Sequence, residues 1–201
     1  MAGNVSSAGE VVARLKGEAR AAAEARRRSL SQQVVLEWGG EVQAHLTALP
    51  FLAGPGGVVA VYEAQSFEVP LSDFIAAAGA RGMTCVFPRV AKGERVLSFH
   101  DMRGQDWASG PLGLRQPKAS TPATPLEAID VFIVPGAAFT RDGRRLGRGG
   151  GYYDATLARR RPSAITVGVC FDLNVVADLP TEPHDQRVDW LATERGAARM
   201  R

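Results

Sequence analysis

Cysteine is nearly missing from this sequence: Cys85 and Cys170 are the only two in 201 residues. They cannot build a disulfide framework or a Cys-x-x-Cys pair, and both lie in apolar, strand-like segments where a thiol packs as a small hydrophobe. Histidine is equally sparse, at positions 45, 100 and 184, with neither HxxxH nor HExxH spacing, so no zinc site is encoded. Lysine occurs three times, at 16, 92 and 118, and never after a glycine, which excludes a Walker-type phosphate loop. No serine stands in a Gly-x-Ser-x-Gly setting and no cysteine has a nearby histidine, so nucleophilic hydrolysis is a poor fit. Long apolar runs are lacking too. The longest, such as Val58 to Tyr62 and Val131 to Val134, are strand-sized and far short of a membrane span. The first thirty residues hold no continuous apolar stretch and carry Arg14, Lys16, Arg20, Arg26, Arg27 and Arg28, which does not read as a secretory signal. A cytoplasmic protein without membrane association is expected.

A large charge of one sign is also missing. Lys plus Arg is 24 against 21 acids, a balance of +3 that demands no nucleic-acid partner. The distribution matters more than the sum. All but three of the cations are arginine, and Arg141, Arg144, Arg145, Arg148, Arg159, Arg160 and Arg161 face only Asp142 and Asp154 between residues 141 and 161. That local excess asks for an anion.

What is present fits one domain, residues 1–201, with about 1–8 and 197–201 loose: 45% apolar and 22% charged residues, no repeat and no composition break. Ala- and Arg-rich residues 9–28 favour a helix that places Lys16 and Arg20 on one face, and a second helix is expected over 31–49 despite Gly39 and Gly40. Pro50 to Gly57 reads as a loop. Strands are then expected at 57–62, 83–87, 95–100, 128–135, 164–171 and 187–193, with helices at 71–81 and 150–161. Residues 104–125 form an excursion with no assignment. Strands separated by helices predict an α/β fold: a mostly parallel sheet with helices on both faces, a Rossmann-like three-layer architecture.

The densest signal is Val134-Pro-Gly-Ala-Ala-Phe-Thr-Arg-Asp-Gly-Arg-Arg-Leu-Gly-Arg-Gly-Gly-Gly-Tyr-Tyr-Asp154, after a buried strand and before a helix. Gly147, Gly149, Gly150 and Gly151 allow the backbone to present N–H groups to an anion at a helix start. Arg145 and Arg148 add charge-assisted contacts to phosphate, and Asp154 in the first turn offers a carboxylate oxygen to Mg2+. The plain alternative is a solvated Gly/Arg loop followed by an aromatic pair that packs in the core.

The run Asp142-Gly-Arg-Arg-Leu-Gly-Arg-Gly-Gly-Gly-Tyr-Tyr-Asp154 closely resembles the signature of the 5-formyltetrahydrofolate cyclo-ligase family. Further pieces follow the family's order: Lys16 and Arg20, Glu68-Val69, Phe87-Pro-Arg89, Pro183-His-Asp185, Val188-Asp189 and Ala192-Thr-Glu194. The resemblance implies ATP- and Mg2+-dependent conversion of 5-formyltetrahydrofolate to 5,10-methenyltetrahydrofolate, with ADP and phosphate released; apart from it, the small net charge calls for no nucleic acid, and with no sign of a large obligate interface a monomer is expected. The resemblance also implies nucleotide contacts at Lys16, Arg20 and Arg145 to Tyr153 (Arg145, Leu146, Gly147, Arg148, Gly149, Gly150, Gly151, Tyr152, Tyr153). It implies folate contacts at Arg20, Glu68 and Arg148 to Tyr152, with Arg145, Arg148 and Tyr152 at the reacting atoms and Mg2+ on Asp154 and Asp189. Read without the family, Lys16 and Arg20 are a solvated helix face, Glu68 an exposed strand end and Asp189 a surface carboxylate. The chain departs from the pattern at Pro70-Leu71, where an acidic or polar residue and Thr are usual, and at Gly150, where some members carry Lys. Two other readings use the same residues: a non-catalytic RNA- or nucleotide-binding module, and a kinase or ligase for another small heterocycle.

Overall fold

Residues 131–135 read Val-Phe-Ile-Val-Pro. In the computed structural model of the chain, which describes residues 8–65 and 67–200 (Leu112 by its backbone alone), they form a central strand buried on both faces. Val131 and Ile133 turn to one apolar cluster, Phe132 and Val134 to another, as the two-residue period of a strand requires. Each such fully buried side chain contributes about 1.5–3 kcal/mol.

The helices are α1 (Ala8–Arg28), α2 (Gln32–Thr47), α3 (Pro50–Ala53), α4 (Ser72–Ala80) and α5 (Tyr152–Leu157). The strands are β1 (Val58–Ala60), β2 (Thr84–Arg89), β3 (Ser98–Asp101), β4 (Trp107–Ser109), β5 (Arg115–Pro117), β6 (Ala123–Thr124), β7 (Val131–Pro135), β8 (Ala138–Thr140), β9 (Arg145–Leu146), β10 (Ile165–Val169), β11 (Val175–Val176), β12 (Trp190–Thr193) and β13 (Gly196–Arg199). The main sheet has the order β13-β12-β10-β7-β1-β2-β3-β6. It is parallel from β12 to β2 and antiparallel at both margins. The fold is thus α/β with a mostly parallel sheet. One face is covered by α2 and α4; the other takes Leu157 of α5 and Phe139 of a small sheet, β11-β8-β9.

Several expected elements differ in extent. The 50–57 loop opens with α3, because Pro50 sits in the first helical turn, where its missing N–H is no loss. The strand expected at 95–100 starts at Ser98, since the Leu97 amide donates to Thr156 Oγ1 (2.9 Å) instead of to a neighbouring strand. Helix 150–161 shortens to α5, whose end is held by Arg160 donating to the Leu157 carbonyl at 2.8 Å. The 104–125 excursion is a β4–β5 hairpin followed by β6; Trp107 stacks edge-on against Phe87, with ring centroids 5.1 Å apart, and fixes the hairpin to β2. Residues 197–199 are not loose, because they pair with β12 from Ala192↔Ala197 to Trp190↔Arg199. The loose stretch expected at 1–8 lies outside the described residues, apart from Ala8, which opens α1. Gly39 persists inside α2 for a packing reason: a Cβ there would lie 2.7 Å from Pro70 Cδ.

Candidate active site

β1 and β7 are neighbours, yet β1 leads through α4 to β2 on one side while β7 leads through α5 to β10 on the other. The strand order reverses between them, and outside their carboxyl ends lies the crevice where open α/β sheets bind ligands. Two loops and one helix furnish it.

The loop after β1 is closed by the Tyr62 hydroxyl, which donates to the Val69 carbonyl at 2.8 Å. The Gln65 amide donates to Glu68 Oε2 at 2.9 Å, and the Glu68 amide to the Gln65 carbonyl at 2.9 Å. Phe67, between them, has φ +63°, the only positive φ outside glycine among the described residues. A bulky residue held there stores backbone strain of the kind that collects at ligand clamps.

The loop after β7 begins as the β8–β9 hairpin, turned at Asp142-Gly143 with Gly143 at φ +83°. Arg145 leaves this hairpin with its side chain only 2% exposed. Its Nη2 donates to Asp154 Oδ1 (2.7 Å), its guanidinium lies 5.7 Å from the centre of the Tyr153 ring, and its buried Nε has no partner. A Cβ at 147 would stand 2.8 Å from Arg145 Nη1, so glycine there leaves the guanidinium its place. Gly149 (φ +104°) and Gly151 (φ +69°) then turn the backbone into α5. Among the described residues, no amide from Gly147 to Gly151 meets an acceptor, so the loop presents unsatisfied donors beside a buried cation.

Arg148 joins the loops. Its Nη2 lies 2.7 Å from Glu68 Oε1, and its Nη1 donates to the Gln65 side chain. The residues expected to meet nucleotide and folate are therefore brought together across the point where the strand order reverses.

Along α1, Lys16, Arg20, Ala23 and Arg27 form one stripe at helical spacing and cross the crevice. Arg20 Nε donates to the Gly147 carbonyl (2.8 Å), and Arg27 Nη1 to the Gly136 carbonyl (3.3 Å). Lys16 is buried and paired with Glu182 (2.8 Å) and Asp185 (2.6 Å). Burial alone would lower the Lys16 pKa, but these two partners raise it above the usual lysine value. Burial likewise opposes the Asp185 charge, yet the bonds from Lys16 and the Glu182 amide hold that carboxyl below its usual value. Beneath the end of α1 opens a cleft of about 810 Å³, lined by Arg20, Arg27, Arg28, Arg115 and Arg148 with Gln65 and Phe67. Arg27 was not among the expected site residues, although its position seven residues after Arg20 on the same helical face is the signal that finds it.

The remaining expected residues divide. Leu146 packs with Ala23, Ala138 and Leu179, so only its backbone is open to a ligand. Tyr152 lies against Gly150, where a Cβ would be 2.7 Å from its ring, and both tyrosines of the pair pack partly on the core. The Tyr153 hydroxyl is buried without a partner, and burial raises its pKa. The structure does not bring Asp189 to Asp154. Asp189 Oδ2 accepts from the Thr166 amide and hydroxyl, both at 2.8 Å, beside the amino-terminal end of β10. Asp154 stands over the carboxyl end of β7, through Arg145, whose Nη1 reaches the Pro135 carbonyl. The two aspartates belong to opposite edges of the parallel sheet, because Asp189 precedes β12 and Asp154 follows β7.

Several of the 141–161 arginines meet acids from elsewhere in the fold: Arg141 pairs with Asp172, Arg144 with Asp178 as well as with Asp142 of the same segment, and Arg161 with Asp130. Arg145 pairs with Asp154 and Arg148 with Glu68, so the local excess is mostly neutralised within the fold, and of these two Arg148 lines the cleft beneath α1. The cysteines are packed as expected. Burial pushes the Cys85 thiol up to about 11 and raises Cys170 as well. No helix among the described residues is long and apolar enough to cross a membrane.

Comparison with known proteins places the sequence and the fold. A model of the 5-formyltetrahydrofolate cyclo-ligase family matches residues 12–194. The 5-formyltetrahydrofolate cyclo-ligase of Mycolicibacterium smegmatis is 32% identical over 194 residues, 94% of this chain and 98% of that protein. The Escherichia coli protein of the same name is 29% identical over 165 residues, 80% of this chain and 90% of its own. The solved 5,10-methenyltetrahydrofolate synthetase of Aquifex aeolicus superposes with a TM-score of 0.79 at 29% identity, covering 93% of each chain. The synthetase of Mycoplasma pneumoniae shares the fold at a TM-score of 0.74 and 22% identity, over 89% of this chain and 98% of its own. The chain therefore belongs to the 5-formyltetrahydrofolate cyclo-ligase family.

Proposed function

We propose that the protein closes 5-formyltetrahydrofolate to 5,10-methenyltetrahydrofolate, consuming ATP and releasing ADP and phosphate. The observation that carries this reading is the meeting of an anion-binding glycine loop with the Glu68 carboxylate at one switch point, joined by Arg148. A formamide oxygen is a poor leaving group. In the proposed reaction it attacks the γ-phosphorus as the bond to the ADP oxygen breaks. N10 then adds to the activated formyl carbon and loses its proton, and the carbon–oxygen bond breaks to release phosphate.

This sequence asks the protein for positioning and for positive charge matched to the transferred phosphoryl group. Arg145 suits that role because its guanidinium is withdrawn from water, pre-oriented by Asp154, and keeps an unpartnered Nε. The amides of Gly149, Gly150 and Gly151 add donors, with Lys16 and Arg20 approaching from α1. Glu68 accepts N–H bonds from the folate heterocycle, which requires Arg148 to exchange its carboxylate partner for phosphate. Tyr152 borders both subsites.

The donor set fits Mg2+ at Asp154 and not at Asp189. Both bonds to Asp154, from Arg145 Nη2 and the Gln186 amide, fall on Oδ1, leaving Oδ2 to face a cation. Mg2+ is held by one or two carboxylates together with phosphate oxygens and water, so a single aspartate suffices. When bound it neutralises charge on the nucleotide's phosphates. The test is spectrophotometric: protein, ATP, Mg2+ and 5-formyltetrahydrofolate are expected to yield the near-ultraviolet absorbance of the conjugated product. Asp154→Ala is expected to lower the rate by about 100- to 1,000-fold, the scale of losing one preorganised charge contact. A flat wild-type trace across pH and metals refutes the reading, and wild-type rates in Asp154→Ala remove the metal assignment.

A further inference from the structure

Five arginines line the large cleft, and their partners differ. Arg28 is paired with Glu24, Arg115 with Glu63 and Arg148 with Glu68. Arg20 and Arg27 hold only main-chain carbonyls. Arg20 lies beside the glycine loop, 3.5 Å from where a Gly149 Cβ would stand, and so serves the phosphate end. Arg27 lies at the other end. It also lines a small hollow of about 10 Å³ shared with Tyr62, Phe67, Glu68, Cys170 and Phe171. Among the described residues no carboxylate lies within ion-pair distance of it, and Glu68 is the acid whose charge it feels most. Burial presses on its charge, yet a guanidinium does not give up its proton in a protein. A half-buried cation held by one 3.3 Å bond to a carbonyl is under-compensated, and it lines the same small hollow as Glu68.

We propose that Arg27 and Glu68 together read one edge of the folate's bicyclic ring, Glu68 accepting from the 2-amino group and N3–H while Arg27 donates to the 4-oxo oxygen. This rests on the reading of Glu68 as the folate carboxylate. The edge of a 2-amino-4-oxo heterocycle runs donor, donor, acceptor, and an adjacent carboxylate and guanidinium are its complement. Arg27 is then a specificity-determining residue: it favours an oxygen at ring position 4 over an amino group, which would set donor against donor.

The experiment is a titration cycle without nucleotide, using 5-formyltetrahydrofolate and its 4-amino analogue against wild-type protein and Arg27→Gln. Wild type is expected to bind the 4-oxo compound, and Arg27→Gln to weaken that binding about 10- to 100-fold, the range for a hydrogen bond to a charged group. The 4-amino analogue is expected to lose far less, so the ratio between the two ligands falls in the variant, while affinity for an ATP analogue with Mg2+ stays unchanged. An equal loss on both ring compounds, no loss on either, or a matching loss of nucleotide affinity overturns the proposal. Absence of 5-formyltetrahydrofolate binding by wild type overturns the reading of Glu68 instead. Should Arg27→Gln fail to fold, the Arg27 Nε–H resonance of the wild-type protein gives the answer: it shifts with the folate and not with the nucleotide, and a resonance unmoved by folate refutes the assignment.

Discussion

Gly147 shows how one missing methyl group is tied to the chemistry of the site. A Cβ at that position would meet the far end of the Arg145 side chain, not the backbone, so the guanidinium yields and leaves Asp154. Gly147→Ala is therefore expected to lower the melting temperature by about 3–8 °C, the scale of losing a charged hydrogen bond of about 1–3 kcal/mol, while turnover of 5-formyltetrahydrofolate falls at least tenfold; unchanged turnover counts against Arg145. The Lys16–Asp185 pair gives a pH prediction. The depressed folded pKa of Asp185 means its stabilisation is present above the unfolded value of about 3.9 and is lost as pH falls through the folded value. The raised Lys16 pKa means its share is present below about 10.4 and is lost as pH rises through the folded value. Asp185→Asn is expected to lower the melting temperature at pH 7 by about 3–8 °C, equivalent to about 1–3 kcal/mol for a buried charged hydrogen bond. The gap from wild type closes as the pH drops below the Asp185 folded value; a gap independent of pH contradicts the pairing. At this scale the glycine loop was legible because glycine spacing and arginine density are written in the chain. The placement of Asp189 was not, since spacing alone cannot tell which edge of a sheet a residue meets, and Arg27 was hidden among six cations with the same composition.

At the scale of elements, long alternating segments were readable and short ones were not. β7 and β10 carry five mostly apolar residues each, and both were expected in place. The β4–β5 hairpin, with three residues per strand, is too short to show a period and is held by Trp107 against Phe87. The β8–β9 hairpin did carry a signal, Asp142-Gly143, which was masked by the surrounding arginines. Strand β10 has a further particular: Gly168 interrupts its valines because Phe139 of β8 packs there, and a Cβ would stand 2.5 Å from the ring, with Gly136 closing on the other side at 2.6 Å. Phe139 is fully buried, so the ring has nowhere to go. Gly168→Ala is expected to cost about 1–3 kcal/mol from overpacking, read as a fall in denaturation midpoint; an unchanged midpoint refutes the clamp.

At the scale of the molecule, the expected α/β sheet was legible from the alternation of strands and helices, while the placing of α1 was not. α1 fully buries only Lys16 and Ala23, so apolar periodicity could not dock it; ion pairs to Glu182 and Asp185 and bonds to Gly147 and Gly136 hold it across the crevice. The same helix thereby spans both ligand ends of the site. The most direct test is a nuclear magnetic resonance titration of the labelled protein, first with a non-hydrolysable ATP analogue and Mg2+, then with 5-formyltetrahydrofolate. The nucleotide is expected to shift the amides of Gly147 to Gly151 and Gln186, and the folate those of Gln65 to Glu68. Shifts that spare both loops and gather instead on the α2–α4 face would contradict a single crevice between β1 and β7.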